Sequence, residues 1–216
     1  MKDFDKIYWY RKFGRTRRFH TERIIGEETV FHHTASTAIL LLTLVPEECT
    51  SKLIEAVLRH DLEEGITGDI PAPVKWRCQG IIDEMESATR ESYGIPSVDL
   101  SDRESKLLKA ADFLDATMTC LEQRMLGNTM IDTVFLNYVK FERKRNLITQ
   151  AFSVAMYEHW SSIEIKYQEV CRANPSTVPL LPEMRSQELP PVSKRCDDCG
   201  SVVPPYTHNQ DCPSRV

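Results

Sequence analysis

Apolar residues recur every three or four positions through most of the first 173 residues, and this spacing places them on one face of an α-helix. The clearest helix begins at the capping box Ser101-x-x-Glu104 and ends at Gly127-Asn128. Between these limits the apolar positions are four, three, four, three and four residues apart: Leu107, Ala111, Leu114, Met118, Leu121 and Met125.

Other segments also carry helix signals. Thr29 can cap a helix that runs to about Val45, and Thr50 or Ser51 can cap another that ends near Gly65. No convincing strand pattern with a period of two appears before the C-terminal tail. The body of the chain is therefore predicted to be all-α. A last helix is predicted from the residues Phe152, Ala155, Trp160, Ile163 and Tyr167.

Proline marks the end of this helical body. Four of the 12 prolines precede residue 174 and eight lie in the last 42 residues. So proline-rich a segment can neither propagate a helix nor bury a core. We predict a helical domain over residues 1–172, a Pro-rich linker over 173–195 and a small tail over 196–216.

Composition limits the class of protein. The 216 residues, of which 41% are apolar and 27% charged, suit one globular domain with an appendage. A net charge of −5 disfavours a protein that coats nucleic acid through bulk charge. No stretch reaches the ~18 apolar residues of a membrane span, and no secretory signal is visible, so we expect a cytoplasmic protein without membrane contact.

The tail holds a cluster of metal-ligand residue types. Cys196-x2-Cys199 is followed by His208-x3-Cys212, a spacing that fits a closed tetrahedral zinc site. We therefore predict structural zinc in the tail, which would then offer a docking surface for protein or nucleic acid. The odd total of seven cysteines suits reduced thiols and a metal site better than a disulfide framework.

The His60-Asp61 pair lies inside a predicted helix, where such polar residues are costly unless something binds them. Adjacent helical residues point ~100° apart, so both can reach one ion beside the helix. Glu64 follows on the same face, where it could hold a water molecule without ligating the metal. Another histidine and another carboxylate would complete a site for a divalent transition metal.

Those two further ligands must come from other helices. His33 and Asp112 are candidates because each lies beside apolar residues at the edge of an inward face. By spacing alone, His32 and Asp115 compete with them.

These residues resemble the HD-domain phosphohydrolases, specifically their 5′-deoxynucleotidase branch. The most specific match is H-D-x-x-E at 60–64 followed by T-G-D-x-P-x-P-V-K at 67–75. In that family the first histidine, the His-Asp doublet and a distal aspartate bind the metal. The resemblance therefore selects His33, His60, Asp61 and Asp112 as metal ligands. Further matches are Arg18-Phe19, Val30-Phe31-His32-His33-Thr34, Lys109-Ala110-Ala111-Asp112, Cys120-Leu121-Glu122 and Gly127-Asn128.

The same resemblance implies roles for five further residues. Arg18 would contact the phosphate, and Phe19 would pack against the sugar and disfavour a 2′-hydroxyl. Asp69 would hold the 3′-hydroxyl, Glu64 would orient or deprotonate the attacking water, and Lys75 would bind substrate.

Two positions depart from the family pattern. His32 stands where relatives usually carry Glu, which puts the orientation of the metal ligands in question. Phe19 stands where relatives often carry Trp, which affects the deoxyribose preference.

The resemblance implies an HD-domain helical bundle that hydrolyses deoxynucleotides with Co²⁺, Mn²⁺, Zn²⁺ or Mg²⁺, and a homo-oligomer. The substrate would be a deoxynucleoside monophosphate or, as in some phage relatives that hydrolyse dATP, a triphosphate. The basic excess between Arg11 and Arg23 could neutralise a longer phosphate chain. An alternative is an adaptor in which the fold is a scaffold and the zinc tail and basic stretch bind nucleic acid or protein.

Overall fold

The computed structural model describes residues 3–151, 153–175, 194–195 and 202–203. Over these ranges the chain folds into α-helices, two short 3₁₀ turns at Pro46–Glu48 and Thr129–Ile131, and one antiparallel pair of two-residue strands, so the all-α prediction is confirmed. None of these helices combines the length and apolar character that a membrane crossing requires. The elements are α1 (Asp3–Phe13), α2 (Val30–Leu44), α3 (Ser51–Arg59), α4 (Glu64–Thr67), α5 (Ala72–Arg77), α6 (Gln79–Tyr93), α7 (Asp102–Met125), α8 (Asp132–Arg145), α9 (Leu147–Gln150), α10 (Val154–Ala173), β1 (Lys194–Arg195) and β2 (Val202–Val203).

The predicted helix starts are confirmed by their caps. The hydroxyl of Thr29 accepts from the amide of His32, and that of Thr50 accepts from the amide of Leu53. At the start of α7 the amide of Ser101 donates to Glu104 at 2.9 Å, and the amide of Glu104 donates back to Ser101 Oγ at 3.2 Å. Each cap satisfies amides that the first turn of a helix leaves without a backbone partner.

The prediction that one helix continues through His60 and Asp61 to Gly65 is wrong. Helix α3 ends at Arg59, His60 is its C-cap, and a turn leads to the separate short helix α4. The imidazole Nδ1 of His60 lies 2.6 Å from the Val57 carbonyl oxygen, and Arg90 Nη2 donates to the carbonyls of Arg59 and His60. These contacts satisfy carbonyl oxygens at the helix end, so the chain can turn there.

The described part of the chain divides into two compact units, the first ending at Thr119 and the second beginning at Cys120. In the first unit α2 packs against α3, and α1 packs against α4. Phe13, Leu62 and Ile95 form a buried cluster at α1. Gly65 is required there because a Cβ atom would lie 2.2 Å from the Phe13 ring. The core of the first unit includes Val30, Leu41, Leu53, Val57, Leu107, Ala111 and Leu114.

The second unit has a core of its own. Phe135 stacks on Tyr167 with ring centroids 3.6 Å apart. The Tyr167 hydroxyl donates to Asp132 at 2.6 Å, and Arg124 Nε lies 3.0 Å from the same carboxylate. This network joins α7, α8 and α10 within the unit. Helix α10 ends at Ala173, where the sequence places the end of the helical body, and it buries Trp160, Ile163 and Tyr167.

Some predictions fall on residues that the structure does not describe. The proposed zinc ligands of the tail, Cys196, Cys199, His208 and Cys212, lie outside the described residues, as does Phe152. Most of the predicted linker, residues 176–193, also lies outside them. The linker and tail therefore stay predictions.

Candidate metal and phosphate site

Four side chains predicted as metal ligands meet in the first unit, from α2, the turn after α3, and α7. His33 Nε2 lies 3.2 Å from His60 Nε2 and 3.5 Å from Asp61 Oδ2. His60 Nε2 lies 3.3 Å from the same Asp61 oxygen. Asp112 Oδ1 lies 2.9 Å from His33 Nε2 and 4.0 Å from His60 Nε2. Thus a nitrogen from each imidazole and an oxygen of Asp61 face one another, and Asp112 joins them at His33 Nε2.

These separations fit a divalent cation. Bonds of ~2.1 Å at right or tetrahedral angles put neighbouring donors about 3.0 to 3.4 Å apart. The four shorter separations lie in or next to this range, whereas the 4.0 Å between Asp112 Oδ1 and His60 Nε2 exceeds it. In the described part of the chain, the cluster of three or more histidine, cysteine or acidic donors close enough to share an ion is His33, His60 and Asp61, and Asp112 adjoins it. A mixed nitrogen and oxygen donor set suits Zn²⁺, Co²⁺ or Mn²⁺ better than Ca²⁺.

The electrostatics of His33 also fit a cation at this point. Burial and the charge of Arg18 lower the pKa of His33, but its hydrogen bonds with Asp112 and Asp115 raise it to about 9. The side chain is fully buried. A buried cluster that favours a protonated imidazole is one that stabilises positive charge, whether the charge comes from a proton or a metal.

Asp115 lies on the other side of the His33 ring. Its Oδ2 atom is 2.6 Å from His33 Nδ1, and both side chains are buried. Because the two ring nitrogens point away from each other, Asp115 cannot share an ion with His33 Nε2. The structure therefore separates the two aspartates that helical spacing left as alternatives: Asp112 faces Nε2, and Asp115 faces Nδ1. His32, the alternative to His33, is exposed.

Arg18 borders the cluster through its guanidinium. Its Nη1 atom lies 3.0 Å from Asp61 Oδ2, and both side chains are almost fully buried. Burial lowers the pKa of Arg18, but the nearby carboxylates, Asp61 first, raise it overall, so the group stays cationic. A buried guanidinium beside a candidate metal site offers a fork for phosphate oxygens.

The backbone holds Arg18 in this place. An isolated antiparallel bridge joins Arg17 to Thr29, with the Arg18 amide donating to the Glu28 carbonyl at 2.9 Å. This bridge, which sequence analysis missed, closes the loop between α1 and α2. It is too short to leave a strand pattern in the sequence.

Phe19 and Asp69 are joined through the main chain. The Phe19 amide donates to Asp69 Oδ2 at 3.0 Å, and Phe19 has a positive φ of 53°. A left-handed conformation is uncommon for an aromatic residue and costs of the order of 1 kcal/mol, so it persists where other contacts impose it. Asp69 is such a contact, and it fixes the segment that carries Arg18.

Glu64 is 2% exposed and pairs with Lys75, whose Nζ donates to Glu64 Oε1 at 2.7 Å. Burial, followed by the charge of Asp61, raises the pKa of Glu64 to about 8, while Lys75 acts in the opposite direction. A carboxyl with a pKa close to neutrality is suited to proton transfer. The Lys75 ammonium also lies 3.7 Å from Glu86 Oε1.

Sequence analysis missed the residues that hold the His60-Asp61 turn. Arg90 Nη2 donates to the His60 carbonyl at 2.5 Å and to the Arg59 carbonyl at 2.8 Å, and it lies 2.5 Å from Glu63 Oε2. Burial raises the pKa of Glu63 to about 7, although Arg90 lowers it. Arg90 lies 30 residues from His60, so no local pattern in the sequence connects them.

Comparison with known proteins shows which protein family this chain matches. A family described as "5'-deoxynucleotidase YfbR-like" matches residues 8–154, which is more than half of the chain and includes the whole cluster. Escherichia coli K12 "Uncharacterized protein YfdR" is 32% identical over 108 residues, covering 49% of this chain and 54% of the relative. "5'-deoxynucleotidase YfbR" of Escherichia coli ATCC 8739 is 33% identical over 87 residues, covering 32% of this chain and 43% of the relative. The chain thus spans about half the length of the curated relatives that it matches.

A solved structure shares the fold. It is described as "Cyanophage S-2L HD phosphohydrolase (DatZ) bound to dA and one catalytic Zn2+ ion", with a TM-score of 0.54 and 15% sequence identity. The alignment covers 75% of this chain and 96% of that structure. At this identity the likeness concerns the fold alone.

Proposed function

The chain belongs to the YfbR-like 5′-deoxynucleotidase family, and on that premise we propose that it hydrolyses deoxynucleotides with the help of a divalent metal ion. We further propose deoxynucleoside 5′-monophosphates as the substrates, and a deoxynucleoside and phosphate as the products. The observation that carries the proposal is the convergence of His33 Nε2, His60 Nε2, Asp61 Oδ2 and Asp112 Oδ1 beside the buried guanidinium of Arg18.

His33, His60, Asp61 and Asp112 would hold the cation. When bound, a divalent cation polarises a phosphoryl oxygen and favours deprotonation of an attacking water molecule. The side chain of Asp112 is 42% exposed, whereas that of His33 is fully buried, so the cluster is open to solvent and substrate on the Asp112 side. Zn²⁺, Co²⁺ and Mn²⁺ are the candidate ions, with Mg²⁺ a weaker match to imidazole donors.

Arg18 and Glu64 would act on the phosphate and the water. The Arg18 fork binds phosphoryl oxygens and orients the phosphate. Glu64, whose pKa is raised to about 8 by burial, positions the water and accepts a proton from it. The water oxygen forms the new bond to phosphorus, the bond to the 5′-oxygen breaks, and a proton passes to that leaving oxygen.

Phe19 and Asp69 would recognise the sugar. An apolar ring at the 2′ position cannot satisfy a hydroxyl, so a ribonucleotide loses a hydrogen bond that it makes in water. Asp69 is fixed by the Phe19 amide and has a second lone pair for the 3′-hydroxyl. This pairing supports a deoxynucleotide rather than a ribonucleotide.

A monophosphate is favoured over a triphosphate by the charges near the cluster. Lys75 is engaged by Glu64 at 2.7 Å, whereas Arg18, whose Nη1 atom pairs with Asp61 at 3.0 Å, can still offer its other guanidinium nitrogens to the substrate. One fork and one cation match a single phosphoryl group. The other five basic residues between Arg11 and Arg23 are exposed, and a triphosphate substrate would have to recruit some of them: Arg11, Lys12, Arg15, Arg17 and Arg23.

The test measures the release of phosphate or polyphosphate from deoxyribonucleotides and ribonucleotides. Monophosphates and triphosphates of both kinds are assayed with each candidate metal ion. We expect turnover of deoxynucleoside monophosphates that disappears in Asp61→Ala. Release of tripolyphosphate from dATP would instead show that the protein is a deoxynucleoside triphosphate triphosphohydrolase. Turnover of none of the nucleotides would favour the adaptor alternative, in which the tail and the basic stretch carry the function.

Three predictions from the sequence stay predictions. They are the structural zinc bound by Cys196, Cys199, His208 and Cys212, the tail as a contact for protein or nucleic acid, and the homo-oligomer.

A further inference from the structure

The two histidines of the cluster present the same ring nitrogen to the proposed cation, and each uses the other nitrogen to bind an acceptor. His60 Nδ1 lies 2.6 Å from the Val57 carbonyl oxygen, which can only accept, so Nδ1 is the donor of this bond and Nε2 is the nitrogen that faces the cluster. His33 Nδ1 lies 2.6 Å from Asp115 Oδ2. The acceptor for His60 is main chain, whereas the acceptor for His33 is a side chain.

We propose that Asp115 is the positioning residue of His33: by accepting a hydrogen bond from Nδ1–H it fixes the ring orientation and the tautomer that leave Nε2 free for the cation. This inference rests on the metal site of the proposed function. Asp115 does not touch the cation or the substrate, because it lies on the far side of the imidazole from Asp112.

Burial makes the contact specific. His33 is completely buried and Asp115 is 6% exposed, so water cannot readily replace the carboxylate as the acceptor. The pair also connects α2 to α7, the helix that carries Asp112, so the same contact sets the distance between two of the proposed ligands. A hydrogen bond of this kind to a metal-ligating histidine typically accounts for 10- to 100-fold in metal affinity.

Asp115 also takes the place of an orienting carboxylate at position 32, where this chain carries His32. The position before His33 carries an exposed imidazole, whose side chain does not take the acceptor role. Asp115, three residues after Asp112 on the same helix, is the hydrogen-bond acceptor for His33 Nδ1. In this chain the orienting carboxylate comes from α7.

The experiment measures binding of Mn²⁺ to the full-length chain by electron paramagnetic resonance. Mn²⁺ is chosen because it prefers nitrogen and oxygen donors to the thiolates of the tail. We expect Asp115→Ala to weaken Mn²⁺ binding by about 10- to 100-fold. Asp115→Asn retains an oxygen that can accept from Nδ1–H, so it should recover most of the affinity. The matched control is Asp102→Ala on the same helix, whose side chain is 84% exposed and which should bind as the parent does.

A second measurement does not depend on any variant folding. In ¹⁵N spectra of the Zn²⁺-loaded parent chain, His33 should show a protonated, exchange-protected Nδ1 and a metal-bound Nε2. A metal-bound Nδ1 would overturn the inference, as would parent-like Mn²⁺ affinity in Asp115→Ala. Equal losses of Mn²⁺ affinity in Asp115→Asn and Asp115→Ala, at unchanged thermal stability, would also overturn it. Absence of Mn²⁺ binding by the parent chain would instead refute the proposed function on which the inference rests.

Discussion

The ammonium of Lys75 lies 2.7 Å from a carboxylate oxygen of Glu64, a residue that is 2% exposed. The resemblance in sequence implied that Lys75 binds substrate, whereas the structure joins it to the acid proposed to accept the proton of the attacking water. The two roles differ in their dependence on pH, which makes them separable.

Lys75→Met should therefore change the pH dependence of the reaction. Burial and Asp61 raise the pKa of Glu64 to about 8 and Lys75 lowers it, so removing Lys75 raises that pKa further. At pH 7 less of Glu64 is then ionised, and we expect kcat/KM to fall roughly tenfold, with its acidic limb displaced to higher pH. The measurement is a pH–rate profile at saturating Mn²⁺.

The exposed Arg77 lies on the same helix, so Arg77→Met is the control and should keep the parent profile. A uniform loss of kcat/KM at every pH, mainly through KM, would contradict the prediction. It would indicate that Lys75 binds substrate.

Arg90→Met should loosen the turn that carries His60 and Asp61. The substitution removes the donors to the Arg59 and His60 carbonyls and leaves Glu63 without its partner. We expect about 1–3 kcal/mol of lost stability together with weaker Mn²⁺ binding. Chemical denaturation and a Mn²⁺ titration measure the two effects. Arg90→Lys should recover part of the binding, and parent-like Mn²⁺ affinity in Arg90→Met would show that Arg90 does not position the turn.

Phe19→Ala should reduce discrimination against ribonucleotides. Truncation removes the apolar wall, while the main-chain amide that donates to Asp69 remains. We expect the ratio of ribonucleotide to deoxynucleotide turnover to rise about tenfold, measured as kcat/KM for matched monophosphates. Phe4→Ala, at a side chain that is 77% exposed, is the control. An unchanged ratio would remove Phe19 from sugar selection.

Glu142→Gln should flatten the pH dependence of stability. Burial raises the pKa of Glu142 from 4.5 to about 7, although backbone hydrogen bonds, that of Ile148 first, lower it. Among the described residues its Oε2 atom is buried without a hydrogen-bond partner. The folded state therefore keeps a proton that the unfolded chain releases, so the free energy of unfolding falls as the pH rises from 4.5 to 7.

The glutamine variant is expected to lose much of this slope and to be more stable than the parent at pH 8, by on the order of 1–3 kcal/mol. Urea denaturation at several pH values measures it, with the exposed Glu122→Gln as control. A residual slope is expected from Glu164, whose pKa burial also raises to about 7. Equal slopes in the parent and Glu142→Gln would refute the prediction.

The helices that the sequence predicted are those with a buried face or a clear cap. The apolar stripe and capping box of α7 locate it to within a residue or two, and Thr29 and Thr50 mark the starts of α2 and α3. By contrast, sequence analysis did not identify α6, none of whose residues is buried. The end of α3 was misplaced because the contacts that hold the turn come from Arg90, a distant side chain.

The sequence by itself determined the donor types of the candidate site and the helices that carry His33 and Asp112, because these follow from residue identity and from a helical repeat that is local. Spacing could not distinguish Asp112 from Asp115, and it gave no sign of Arg90 or of the bond between Lys75 and Glu64. Only the tertiary structure placed one aspartate on each side of the His33 ring. That difference depends on side-chain contacts between α2 and the distant α7. Distances between elements so far apart in the chain are set by tertiary contacts and not by any local period.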